Sequence, residues 1–126
     1  MRIDILLMPC TGCNSQIYTV NSPVNCQTKN VIYRITCKKH PKFVYIGETQ
    51  RKLSVRAGEH RGYVNRNETN KPTGEHFTQP GHKTSDMTCT VIEQVLPAND
   101  PFLRKRREKW WINKYQAVEH GANTQE

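Results

Sequence analysis

Between residues 31 and 47 the chain alternates apolar and polar stretches over a short distance: VIYRIT, then CKKHP, then FVYIG. β-Branched and aromatic residues crowd the two outer runs, which predicts two strands, and the polar insert is short enough for a hairpin. With Cys37 facing Pro41 across the turn, antiparallel register sets Tyr33 opposite Tyr45, and opposed residues share a face. LSVRAGEHRGYV (53–64) predicts a helix, although Gly58 and Gly62 each cost about 1 kcal/mol relative to alanine. Arg56, His60 and Tyr63 recur at i, i+4 and i+7 and so line one side of it. Residues 65–88 are polar and turn-rich, with room for one helical turn at 74–78, and CTVIEQVL (89–96) predicts a third strand. Asp100 before Pro101 marks a helix start, because aspartate caps free N–H groups and proline suits the first turn. That helix runs through FLRKRREKWWINKYQ, with Leu103, Trp110, Trp111, Ile112 and Tyr115 as its inward stripe and its Arg/Lys run outward. The first thirty or so residues are irregular, punctuated by Pro9, Gly12, Asn14, Ser22, Pro23 and Asn25. The sum is an α+β domain over 30–126, a small three-stranded, mostly antiparallel sheet flanked by helices, preceded by an arm over 1–29.

Composition narrows the class. With 126 residues, 35% of them apolar, the chain supports one modest core of a kind that often leans on a metal staple. Nineteen Lys and Arg against eleven Asp and Glu leave a net charge of +8, which points to an anionic partner, nucleic acid ahead of a membrane surface. Five cysteines, an odd number, argue against a disulfide framework. No stretch is long enough to cross a bilayer, and the apolar opening MRIDILLMP is interrupted by Asp4 and lacks a cleavage site. The expected setting is intracellular and reducing.

Two Cys-containing knuckles stand out. CTGC (10–13) and CKKH (37–40) have the x-x spacing that tetrahedral zinc prefers, so Cys10, Cys13, Cys37 and His40 are the expected ligands, with Cys26 as an alternate. Such a zinc is structural, with all four positions filled. Cys89, at the start of a strand, is expected in the core. His76 and His82 have no partner pair at ligand spacing and are assigned structural or DNA-contact roles.

VIY (31–33), YIG (45–47), Arg56 with His60, Glu108 within REKWWI, and Asn123 within GAN follow the order of a known nuclease domain. In this order the chain resembles the GIY-YIG nucleases. It is most similar to the endonuclease domain of Penelope-like retroelements, through YIGET, EH, HF, PGH, SDM and the late RE..WI and G.N runs. The likeness spans roughly residues 26–123. It implies hydrolysis of a DNA phosphodiester by water, with one Mg²⁺ or Mn²⁺. Tyr33 or Tyr45 would take the water's proton, Tyr33 being favoured, provided cationic neighbours lower its pKa. Arg56 would supply that charge and bind a phosphate oxygen. Glu108 would hold the divalent cation, His60 would assist the base or contact phosphate, and Asn123 would position the metal or strand ends. Arg51, Lys52, Arg61, Arg66, Arg104 and Lys105 are the expected backbone contacts. The resemblance also implies nicking in retroelement mobility, a nuclear setting, and a reverse transcriptase in the same polyprotein. Two positions depart from the pattern: Val31 stands for the first motif's glycine, and Glu48 stands where the repair-nuclease branch has lysine. A non-catalytic zinc-bearing nucleic-acid module, or a decayed copy of the enzyme, remains the rival reading. In that case the tyrosines are a packing pair and Arg56 and His60 a solvated helix face.

Overall fold

The computed structural model describes residues 2–4 and 25–115. In chain order the elements are β1 (Arg2–Asp4), β2 (Val31–Cys37), β3 (Val44–Thr49), α1 (Leu53–Asn65), α2 (Pro72–Phe77), a 3-10 turn (Thr84–Asp86), β4 (Met87–Gln94) and α3 (Pro101–Lys114). The sheet runs β1-β4-β2-β3. Strands β2, β3 and β4 form the expected antiparallel core, and β1 adds a short parallel edge on β4, with Ile3 opposite Cys89. The arm was expected to be irregular throughout, so this fourth strand is a correction.

Successive residues of a strand face opposite sides of a sheet, and here both sides are covered. Val31, Tyr33, Ile35 and Cys37 of β2 join Cys89 and Val91 of β4 against Leu53 and Ala57 of α1 and Phe77 of α2. Ile32 and Ile46 face the other way and pack with Leu103, Trp111 and Ile112 of α3 and with Tyr115 at its end. Each fully buried Val, Leu or Ile contributes about 1.5–3 kcal/mol, so the three-layer arrangement follows from the alternation in VIYRIT.

The hairpin turn is longer than expected. The last paired residues are Thr36 and Val44, and the Phe43 amide donates to the His40 carbonyl at 3.0 Å inside the turn. The register moves accordingly: Tyr33 faces Gly47, and Tyr45 faces Ile35. The two tyrosines share a face of the sheet but stand diagonally, not side by side.

Part of the predicted arm belongs to the body of the domain. The first two amides of α1, on Leu53 and Ser54, donate to the carbonyls of Thr28 (3.2 Å) and Cys26 (2.7 Å). These bonds satisfy groups that a helix start leaves without internal partners. At α3, the Asp100 side chain accepts from the Leu103 amide at 2.9 Å, the cap expected from Asp-Pro. Two α3 assignments change. Trp110 is 46% exposed, held under the Arg107 and Lys114 cations instead of facing the core. Arg104, expected on the outer face, is buried.

Candidate active site

Tyr33 projects from β2 into the space under α1 and is wholly buried. Its hydroxyl lies 2.8 Å from His60 Nε2 and accepts from Arg56 Nε at 3.0 Å. The other His60 nitrogen, Nδ1, lies 2.8 Å from Thr73 Oγ1 on α2. One proton arrangement satisfies every atom: Tyr33 O–H donates to Nε2, and Nδ1–H donates to Thr73. Arg56 Nη1 donates to Glu59 at 2.8 Å and to the Tyr63 hydroxyl at 3.1 Å, and Glu59 also takes Arg51 at 2.6 Å. The i, i+4, i+7 spacing on α1 does bring Arg56, His60 and Tyr63 together, and His60 fills a position in the helix's buried stripe.

Two glycines make room for this group. A Cβ at Gly47 would fall 2.4 Å from both Cζ and Oη of Tyr33, so the ring lies across bare backbone on the neighbouring strand. A Cβ at Gly74 would fall 2.1 Å from the Glu68 carbonyl oxygen, so only glycine lets α2 sit close enough to present Thr73.

The electrostatics differ from expectation. Burial pushes the Tyr33 pKa well above 10.0, and Tyr45 adds to the rise, while the Arg56 charge and hydrogen bond pull the other way without winning. Tyr45, less buried, is also raised by burial, and Arg56 again opposes through charge and a hydrogen bond. Desolvating a phenolate costs more than one neighbouring cation returns. Burial also takes His60 down to about 3, with Arg56 contributing, so the imidazole is neutral. It spans Tyr33 and Thr73 and faces no solvent, which removes the expected phosphate contact. Burial alone would pull Arg56 down, but Tyr33, Glu59 and Tyr63 hold it firmly protonated.

The charge of Glu108 on α3 adds to the rise of the Tyr45 pKa. Lys105 lies between two acids, 2.9 Å from Glu48 and 4.0 Å from Glu108. Glu48 is further held by Arg104 Nε at 2.5 Å, and Arg104 Nη1 donates to Asn30 at 3.3 Å. The acid that departs from the repair-nuclease pattern is therefore the partner that buries Arg104, and Arg104 is withdrawn from DNA. Of the other expected backbone contacts, Lys52 and Arg61 are exposed. Arg51 and Arg66 are half or more exposed while pairing with Glu59 and Glu68, and Lys105 is 66% exposed. Asn123 lies outside the described residues.

A second polar group forms behind the hairpin turn. Cys37 ends β2, His76 lies on α2 and His82 in the loop after it; their ligand atoms all lie within 4.8 Å of one another. His76 Nε2 and His82 Nε2 are buried without a hydrogen-bond partner. Burial lowers the His76 pKa to about 4, helped by His82 and His40, which keeps the ring neutral as a metal ligand must be. Ligands of one tetrahedral zinc are separated by roughly 3.3–3.8 Å, so modest side-chain adjustment would close this group around an ion. The His40 ring centroid is 5.2 Å from that of His76 and 5.4 Å from that of His82, so a further imidazole stands beside the group. The structure thus brings together a Cys/His group that differs from the expected zinc set. Cys37 stays with His40 beside it, His76 and His82 enter, and Cys10 and Cys13 lie outside the described residues. Cys26 is buried. The missed signal was GEHF followed by a Pro-Gly turn and His82, which folds the second histidine back onto the first.

A buried phenol hydrogen-bonded to a histidine and an arginine of one helix is thus the polar centre of a small α+β domain. Residues 29–123 match the GIY-YIG catalytic domain, and the chain belongs to that family. The fold is also similar to the solved structure of the catalytic domain of homing endonuclease I-TevI. The TM-score is 0.64 and the identity 20%, covering 78% of this chain and 100% of that one. No curated protein matches the chain. Among the described residues, no helix is long and apolar enough to cross a membrane.

Proposed function

We propose that the chain is a divalent-metal-dependent DNA endonuclease that hydrolyses a phosphodiester bond and nicks one strand. The carrying observation is that Arg56 donates to the buried Tyr33 hydroxyl, to Tyr63 and to Glu59, with Tyr45 on the same face of the sheet and subject to the charges of Arg56 and Glu108. In this reading Tyr45, the less buried phenol, faces the attacking water and accepts its proton as phenolate. Tyr33 positions, through its bonds to Arg56 and His60, rather than acting on the water. Arg56 holds a non-bridging phosphate oxygen with its planar fork, the role Glu59 occupies in the free protein. Glu108, with its acidic side chain open to displacement of Lys105, would hold Mg²⁺ or Mn²⁺. Held there, such a cation would relieve charge on the leaving 3′ oxygen. Cys37, His76, His82 and His40 would hold a structural zinc. The ordered motifs from YIGET to GAN support a retroelement origin, and with it a nuclear setting and a linked reverse transcriptase.

Supercoiled plasmid, Mg²⁺ or Mn²⁺ and gel electrophoresis test this reading. Wild type converts the plasmid to open circle, and Glu108→Ala and Tyr45→Phe each lower the rate by about a thousandfold. Undiminished nicking by Glu108→Ala would refute the metal-ligand role. The raised tyrosine pKa values favour one rival, a nucleic-acid-binding module that no longer cleaves. DNA binding with no nicking in either metal would establish it.

A further inference from the structure

Beside the candidate active site lies an open cleft of about 570 Å³ lined by Lys29, Asn30, Gln50, Arg51, Lys52 and Val55. Three of those six residues are cations, two are amides, and none is an acid. Arg51 shares Glu59 with Arg56, but among the described residues no carboxylate pairs with Lys29 or Lys52. Converging like charges repel, so a concave surface of this kind is stabilised by an anion. The start of α1 does not supply the binding groups, because its Leu53 and Ser54 amides are already bonded to Thr28 and Cys26. The side chains must do so.

The cleft is tied to both halves of the candidate catalytic group. On one side Arg51 meets Glu59, which meets Arg56. On the other, Asn30 accepts from Arg104, which holds Glu48, and Glu48 holds Lys105 next to Glu108. We infer that this cleft binds a backbone phosphate of the strand being cut, flanking the scissile one. Lys29, Lys52 and Arg51 bind the phosphate oxygens, and Val55 offers apolar surface to the adjoining sugar. The Gln50 amide and the free N–H₂ end of Asn30 reach the sugar or the base edge. This inference deepens the nuclease reading and rests on it for the ligand's identity.

The test is binding of an uncleaved fluorescent DNA duplex in EDTA, read by anisotropy across a salt series. Lys29→Ala/Lys52→Ala is compared with Lys38→Ala/Lys42→Ala, a control pair on the exposed hairpin turn. The cleft variant should bind about tenfold more weakly near 0.1 M salt, with a log K against log salt slope shallower by about 1–2. The control pair should change binding by less than about twofold. Equal loss in both pairs would reduce the cleft to general surface charge, and an unchanged slope in the cleft variant would overturn it outright. Circular-dichroism melts verify that both variants fold. Because EDTA prevents turnover, a shifted slope without plasmid nicking would sink the nuclease reading and keep the cleft. Intact nicking with an unshifted slope would do the reverse.

Discussion

Strand β2 and helix α2 carry two polar groups between them, and the groups are finished in opposite ways. In the first, Tyr33 and Thr73 bracket His60, Arg56 closes the far side, and each of these polar atoms has a partner within the protein. In the second, Cys37 and His76 meet His82, and two imidazole nitrogens are left buried with nothing to bond. An orphaned buried polar atom costs about 1–3 kcal/mol, so a group with two of them is incomplete as it stands. The first cluster is satisfied within the protein. The second has the donor set to hold an ion.

The largest effect that separates the two is expected at Arg56. Arg56→Lys keeps the charge but loses the fork that reaches Tyr33, Glu59 and Tyr63 together, so nicking should fall by about a thousandfold. Metal content by mass spectrometry should stay at wild-type level, and parallel loss of metal would show that the two groups are one unit. Cys37→Ser inverts the pattern. Bound zinc should drop from near one equivalent to near none, and the melting temperature should fall by about 10 °C. No change in either would leave the Cys/His group without a metal role.

A smaller effect appears in stability against pH. The folded pKa of His60 is about 3 against a reference of 6.5, so in acid the unfolded chain binds a proton that the folded chain refuses. The stability due to neutral His60 is complete above about pH 6.5 and is lost as pH falls toward 3, on the order of 5 kcal/mol in all. Denaturant titrations at about pH 7 and pH 5 should show that decline, and His60→Gln should flatten it. An equally steep decline in the variant would assign it to other groups, His76 first.

The elements were legible where local signals agree: β-branched runs for β2 and β3, Asp-Pro for the start of α3. The register was not, because one extra residue on each side of a turn displaces every cross-strand partner by two, and CKKHP carries no signal for the wider loop. Family order pointed to Arg56, His60 and the tyrosines as neighbours, but their protonation depends on burial, which no spacing encodes. Arg104 was misplaced for a related reason. On a helix rich in cations, the buried one is chosen by an acid fifty-six residues away, Glu48. The Cys/His group was not legible because knuckle spacing favours ligands close in sequence, whereas Cys37, His76 and His82 meet only after β2 and α2 have packed.

Gly47 makes the second family tripeptide a mechanical seat for the first. With the phenol of Tyr33 resting where a Cβ would be, a mutation to any larger residue there evicts the ring and slackens Arg56 and His60 with it. Two short motifs a strand apart are therefore a single hinge-and-socket part, and drift in one tripeptide is tolerable only when the other gives way too.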